Sequence, residues 1–315
     1  MTSGAATGSS ALQGIALLSS YPKSGSTWVR LFLSAAAAVL EKRDGFDINR
    51  RPFSVPFASD RKLILDETGI DTTELSLAEG AMAQCIALTG ITAAPRYGSV
   101  GAVMKTHDRL VVGSDGLPVF NAQNCRAVVF LVRNPLDIVA SMAHHLGVGL
   151  DQAVANLCDE NFSMVPGPDQ GPHAQLPFAL GSWATHAKSW LDADLPKRVM
   201  LRYEDLLAKP LHSFMTLSRA LGFALSEQDC AKAIAFTGFE ALQSQEQRDG
   251  FVERPAHLQQ FFRQGKAGGW KTELTPEHIN RVLERCAGQM RRVGYDPALS
   301  PGDHSALHRA TIEDR

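Results

Sequence analysis

Gly14-Ile-Ala-Leu-Leu-Ser-Ser-Tyr21-Pro-Lys-Ser-Gly-Ser-Thr27-Trp-Val-Arg-Leu-Phe-Leu-Ser-Ala-Ala-Ala-Ala38 carries three local signals in succession. Ile15 to Ser20 is a short, mostly apolar run with the length of a buried strand. Tyr21 to Ser26 is polar and contains Gly25, which suits a turn. From Thr27 onward the Ala/Leu-rich composition favours a helix, and the apolar stretch Leu31–Leu40 is too short to span a bilayer. The order is therefore strand, turn, helix.

The same order recurs along the chain. Val100–Met104 is apolar and stops at Lys105-Thr-His-Asp108. Ala127–Val132 is apolar and stops at Arg133-Asn-Pro135, before a helix expected from Leu136 to about Leu146, with Asn134 as its cap and Pro135 in its first turn. Arg198-Val-Met-Leu-Arg-Tyr203 reads as a fourth strand, with a helix starting near Glu204. Strands alternating with helices predict a central parallel sheet with helices on both faces. The expected architecture is thus a single P-loop-like α/β domain spanning 15–298, between a flexible N-terminus at 1–14 and a C-terminal tail at 299–315. In such a sheet ligands bind beyond the carboxyl ends of the strands, where every polar cluster above falls. Segments 44–99 and 163–177 break the alternation, and the sequence leaves open whether they are substrate walls or surface excursions.

Composition narrows the function classes. In 315 residues, 44% are hydrophobic and 20% charged, which excludes a disordered or coiled-coil chain. Lys plus Arg total 31 against 33 Asp plus Glu, a net charge of -2, so a general nucleic-acid binder is not expected. The five cysteines form no Cys-x-x-Cys pair and suggest neither a zinc site nor a disulfide framework. Met1–Gly14 lacks a basic start and an apolar core, which argues against a secretory signal; the cytoplasm, with no membrane partner, is the expected location.

The turn at Tyr21–Trp28 has the chemistry of a phosphate cradle. A helix N-terminus offers free N–H groups and the positive end of its dipole, Gly25 allows close approach, Ser24, Ser26 and Thr27 add hydroxyls, and Lys23 adds charge. A capped helix with a surface lysine would look similar, but the density of donors favours an anion site. The lysine precedes the glycine, so this is not the Walker A pattern and a magnesium-holding hydroxyl is not assured. Arg133 at a strand end suits a phosphate group, although such an arginine also serves in ion pairs, with Asp137 as a candidate partner.

Together these segments resemble the sulfotransferases that use 3'-phosphoadenosine 5'-phosphosulfate (PAPS). Tyr21-Pro-Lys-Ser-Gly-Ser-Thr-Trp28 resembles their 5'-phosphosulfate loop, and Arg133 to Ser141 their 3'-phosphate motif. Lys105-Thr-His107 resembles the segment carrying the catalytic histidine. Arg202-Tyr-Glu-Asp205 resembles the segment that sets a tyrosine near the adenine, and Phe262-Arg-Gln-Gly-Lys-Ala-Gly-Gly-Trp-Lys271 the C-terminal signature. The match runs from about Ile15 to Tyr295, and five motifs in order are far more specific than any one.

The resemblance implies a sulfotransferase moving the sulfuryl group of PAPS to a hydroxyl of a small-molecule acceptor, without a metal. It implies His107 as general base, Lys23 at the bridging oxygen, and Ser141 with a second role beside that lysine. It places Ser24, Gly25, Ser26 and Thr27 at the 5'-phosphate. Trp28, Tyr203, Thr237 and Phe239 then fall at the adenine, and Arg133, Ser141, Arg263, Gln264 and Gly265 at the 3'-phosphate. Gln264 stands where lysine is usual, and Gly269 where aspartate is common. Lys271-Thr-Glu-Leu-Thr-Pro276 matches the family's dimerisation motif only partly, which leaves a homodimer open. An ATP-dependent P-loop kinase and a catalytically silent nucleotide-binding protein are the alternatives. The first calls for a lysine after the glycine, and the second for loss of His107 or Lys23. His144 and His145 read as solvent-facing or packing residues. Trp183, His186 and Trp190 read as core, with a place in the acceptor pocket left open for them and for Phe53 and Phe57.

Overall fold

Alternate residues along the central strands face two separate apolar layers. The computed structural model describes residues 15–91, 102–110, 125–164, 174–195 and 197–297; the segments expected at 1–14 and 299–315 lie outside them. The first half of the described chain contains β1 (Ile15–Ser20), α1 (Ser26–Leu40), α2 (Arg61–Thr68), α3 (Leu77–Gly90), β2 (Ala102–Thr106), β3 (Cys125–Val132), α4 (Pro135–Leu146) and α5 (Leu150–Cys158). It continues with β4 (Ser163–Met164), β5 (Phe178–Ala179), α6 (Trp183–Asp192), β6 (Arg198–Arg202), α7 (Tyr203–Ala208), α8 (Pro210–Leu221), α9 (Glu227–Phe236), α10 (Phe239–Asp249), α11 (Trp270–Glu273) and α12 (Pro276–Arg292).

The sheet order is β2-β1-β3-β6, and every pairing in it is parallel. Ala16, Leu18, Val103, Val129 and Leu131 pack with α1, α8 and α9, whereas Ile15, Leu17, Met104, Val128 and Phe130 pack with α4, α5, α6 and α12. This period of two, with both faces covered, is what a parallel sheet requires. Phe32 of α1 stacks on Phe214 of α8 with ring centroids 4.1 Å apart. Trp183 and Trp190 of α6 are fully buried on the other face, as core residues. Each such side chain contributes about 1.5–3 kcal/mol by leaving water. α4 begins as its sequence predicts, with the Asn134 side chain accepting from the Leu136 N–H and Pro135 in the first turn.

The β2 strand reaches two residues beyond the Met104 end expected from apolar content, so it includes Lys105 and Thr106. Backbone pairing explains the difference. The Lys105 N–H donates to the Pro56 carbonyl at 2.8 Å, and its carbonyl accepts from the Ala58 N–H at 2.8 Å. The 44–99 insertion therefore runs beside β2 at the sheet edge. It also meets the second insertion, where the Leu176 N–H donates to the Ser59 carbonyl at 2.8 Å and the Arg61 N–H to the Ala174 carbonyl at 2.9 Å. The two segments outside the alternation are joined to each other and to the sheet.

Candidate active site

The strands β1, β2, β3 and β6 end on one side of the sheet, and the residues just past them, Lys23, His107, Arg133 and Tyr203, share one cavity of about 1730 Å³. That exceeds the 300–1,000 Å³ of a typical small-ligand pocket and leaves room for two reactants side by side.

The loop between β1 and α1 is strained where an anion site needs it. Lys23 and Gly25 have φ of 69° and 97°. The Tyr203 ring lies so close to Gly25 that an added Cβ would stand 2.6 Å from its Cδ2. Only glycine fits there. α1 has no side-chain cap, so its first turn leaves backbone donors for a ligand or water. Ser26, Thr27 and Trp28 line the cavity. Ser24 does not: its N–H donates to the Tyr21 carbonyl at 3.3 Å, and its hydroxyl is buried without a protein partner.

Arg133 ties this loop to the C-terminal signature. Its Nη1 donates to the Lys23 carbonyl at 3.0 Å and its Nη2 to the Lys266 carbonyl at 3.1 Å, while the guanidinium lies 4.4 Å from the Tyr203 ring centroid. Asp137 is not the ion-pair partner expected for this arginine. Its carboxylate accepts instead from the N–H groups of Gly268 (2.8 Å) and Trp270 (3.2 Å), because the signature loop turns its backbone donors toward the start of α4. Gly265, at φ 60°, packs against Phe239 where a Cβ would collide with the ring. Ser141, Thr237, Phe239, Arg263, Gln264 and Gly265 all line this end; the Thr237 hydroxyl already donates to the Ala233 carbonyl at 2.9 Å.

His107 has a defined tautomer. Its Nδ1 lies 2.6 Å from the Ser20 carbonyl oxygen, which can only accept, so Nδ1 carries the proton and the lone pair falls on Nε2. Burial, reinforced by the Lys105 ammonium, holds its pKa well below the ordinary histidine value despite the opposing pull of the Ser20 carbonyl. The imidazole is neutral at pH 7. Burial, with Arg133 and Arg263 nearby, brings Lys23 down to about 8.

The family model for the sulfotransferase domain matches residues 15–294. The chain belongs to the sulfotransferase family. The sulfotransferase is 26% identical over 278 residues to flavonol 3-sulfotransferase of Flaveria bidentis, covering 84% of this chain and 78% of that one. It is 25% identical over 290 residues to sulfotransferase 1A1 of Canis lupus familiaris, covering 88% and 84% of the two chains. Among solved structures, a mouse sulfotransferase complexed with PAP superposes with a TM-score of 0.55 at 19% identity, covering 88% of this chain and 84% of the other. Retinol dehydratase complexed with androsterone and PAP gives 0.54 at 18%, covering 88% and 80%. These likenesses establish the α/β fold.

Lys105 lines the cavity of the sulfotransferase, a place its motif alone does not assign. Lys105 is buried, with Nζ 4.2 Å from the Phe57 ring centroid; burial and then Arg30 hold its pKa well below the usual lysine value. Its signal was a lysine inside an apolar strand, two places before His107. His145, half-buried, also lines the cavity, and burial followed by Lys23 brings it down to about 3, so it is a neutral wall residue. Phe53 and Phe57 line the cavity, whereas His186 sits behind His107 in the core.

At the far end, Glu253 pairs with Arg30 at 2.5 Å and Arg51 at 2.7 Å. Burial alone would raise the Glu253 pKa, but the two guanidiniums win and hold it at about 2. Among the described residues, no group of three or more His, Cys, Asp or Glu side chains is placed to hold a metal ion.

Proposed function

We propose that the sulfotransferase transfers the sulfuryl group of PAPS to a hydroxyl of a small, largely apolar acceptor, with His107 as the general base. PAPS dependence comes with the family. PAPS supplies an activated sulfuryl group on a phosphate leaving group, and the transfer is an in-line displacement with charge gathering on the leaving and non-bridging oxygens. The observation that carries the reading is the hydrogen bond from His107 Nδ1 to the Ser20 carbonyl. It keeps a basic Nε2 on the wall of the same cavity that holds Lys23 and Lys105.

The residues present fit a polyanionic nucleotide. Trp28 Nε1 and Arg133 Nε, on residues that line the cavity, are buried without protein partners near the uncapped start of α1. Buried orphan donors are rare unless a ligand or water completes them. In this reading the α1 N-terminus, Ser26 and Thr27 hold the 5'-phosphate, and Trp28, Tyr203, Thr237 and Phe239 border the base. Arg133, Ser141 and Arg263 hold the 3'-phosphate, with Gln264 and Gly265 beside them. Lys23 and Lys105 neutralise the charge that gathers during transfer, and Ser141 steadies Lys23. His107 Nε2 takes the acceptor hydroxyl's proton as the oxygen attacks sulfur.

Phe53, Phe57 and Phe261 give the acceptor end an apolar wall suited to a flat or hydrocarbon-rich molecule. The proposed compartment is the cytoplasm, and no helix among the described residues is long and apolar enough to cross a membrane. A homodimer through Lys271–Pro276 belongs to the proposal, to be checked by sedimentation.

Calorimetric titration with 3'-phosphoadenosine 5'-phosphate (PAP) and with ATP tests the donor end, followed by a panel of phenols and alcohols with PAPS. Magnesium-independent PAP binding, weakened in Lys23→Ala, is the expected result. Preference for ATP with magnesium would defeat the assignment.

A further inference from the structure

Arg263 and Gln264 stand where the 3'-phosphate is assigned, and both are engaged by a carboxylate on a neighbouring helix. Arg263 Nη1 lies 3.3 Å from Glu273 Oε2, and Nη2 lies 3.3 Å from Oε1 and 3.4 Å from Oε2. Gln264 Nε2 donates to the same Oε1 at 3.3 Å. Both outer nitrogens of the guanidinium fork therefore face one carboxylate. Gly269 lies beside both side chains: a Cβ there would stand 3.4 Å from Glu273 Oε1, an ordinary contact, and 3.2 Å from Gln264 Oε1, a tight one. The Trp270 N–H at the start of α11 donates to Asp137, which anchors the first residue of the short helix that carries Glu273.

We propose that Glu273 sets donor affinity by competing with the nucleotide's 3'-phosphate for the fork of Arg263. The proposal rests on the PAPS reading above. Glu273 occupies the end-on edge of the fork, and a dianionic phosphate placed on that edge lies against the carboxylate as a like charge. The existing contacts are long and both side chains are partly exposed, at 34% and 26%, so the pair is weak enough to be displaced. Gln264, being neutral, adds a hydrogen bond to Glu273 without adding a cation for the phosphate. The consequence is a donor end that holds its bisphosphate product less tightly than its arginines alone would allow.

The test is calorimetric titration of the full chain with PAP and with adenosine 5'-monophosphate, which lacks the 3'-phosphate, for wild type, Glu273→Gln and Arg263→Ala. Glu273→Gln should tighten PAP on the order of fivefold, the weight of one partly exposed ion pair, and leave the monophosphate within about twofold. Stopped-flow displacement should show slower PAP release by the same factor. Glu273→Ala, which removes the carboxylate without a polar substitute, should shift PAP in the same direction, and melting curves establish that both variants fold. Unchanged or weaker PAP binding in both, with wild type still preferring PAP, would overturn the role of Glu273 alone. A wild type that does not distinguish the two nucleotides, or an Arg263→Ala variant that binds PAP normally, would overturn the donor-end assignment and this proposal with it.

Discussion

At the donor end of the cavity, Lys23, Arg133 and Tyr203 stand just past the ends of neighbouring strands. Arg133 is braced by the carbonyls of Lys23 and Lys266, Tyr203 lies against the backbone at Gly25, and Lys23 Nζ lies 5.2 Å from the Phe261 ring centroid. At the proposed acceptor end, the equivalent bracing is ionic and spans the chain, with Glu253 gripping Arg30 and Arg51 from 223 and 202 residues away. The first arrangement depends on backbone geometry. The second depends on the charge of one carboxylate. Lys105, on the strand that residues 56–58 pair with, and His107, just past its end, line the same cavity.

If that division is right, the largest effect comes from the proposed base. His107→Ala should lower kcat by about 10²–10⁴ and leave PAP affinity unchanged, since the base acts on the acceptor alone. Steady-state kinetics with calorimetry checks both halves, and a loss of PAP binding would place His107 at the donor end instead. Lys23→Ala should cost about 10²–10³ in kcat, as for one donor to a developing charge, and should also weaken PAP.

Lys23 gives a second reading of the donor end through pH. Its pKa of about 8 means the free enzyme loses this cation as pH rises through that value. The pH profile of kcat/KM for PAPS should fall on that side, and kcat should hold to higher pH because bound anionic nucleotide retains the proton. In Lys23→Arg the fall should vanish, since arginine stays charged. A limb that persists near pH 8 in that variant belongs to another group.

The two ends also differ in what the sequence revealed. Lys23, Gly25, Arg133 and Tyr203 were legible because strand-end loops concentrate their chemistry within a few residues, and because a turn before a helix constrains which residue types fit. Arg30, Arg51 and Glu253 were not, because an ion pair across 200 residues leaves no local pattern. Proximity along the chain makes Asp137 a candidate partner for Arg133. Its partners are backbone N–H groups of Gly268 and Trp270, which no side-chain pattern reports. Lys105 was hidden by a strand end placed at Met104, since edge pairing with Pro56 and Ala58 extends the strand past its apolar residues.

Glu253→Gln should break the acceptor end selectively. The unfolded carboxylate titrates near its ordinary value and the folded one at about 2, so its contribution is full above about pH 4.5 and is lost as pH falls toward 2. The shift corresponds to about 2–3 kcal/mol, after allowance for the 27% exposure of the carboxylate. Urea unfolding should show wild type and variant separated by that amount at pH 7, by roughly half of it or less at pH 3, and converging only below about pH 2. Acceptor KM should rise while PAP affinity holds. An equal gap at both pH values would show that packing, and not charge, joins these loops.

The smallest expected effect probes the redundancy of the donor end. Asp137 accepts two N–H groups from the signature loop, and asparagine keeps one acceptor while turning its amide hydrogens toward the other. Asp137→Asn therefore loses about one charge-assisted hydrogen bond, nominally about 1.5–3 kcal/mol. The loop has other anchors, in Arg133 on the Lys266 carbonyl and Gly265 on Phe239, so most of that cost should appear as mobility of the Gly268–Trp270 turn rather than as global unfolding. Donor KM should rise about threefold to tenfold, with kcat within about twofold and acceptor KM unchanged, because Asp137 orders the loop that carries Arg263 and touches neither reacting atom. Hydrogen exchange at Gly268 and Trp270 should quicken in the variant, with α1 exchange unaltered. If exchange in α1 quickened as well, the two loops would be one cooperative unit, and Arg133 would be the joint through which disorder in one reaches the other.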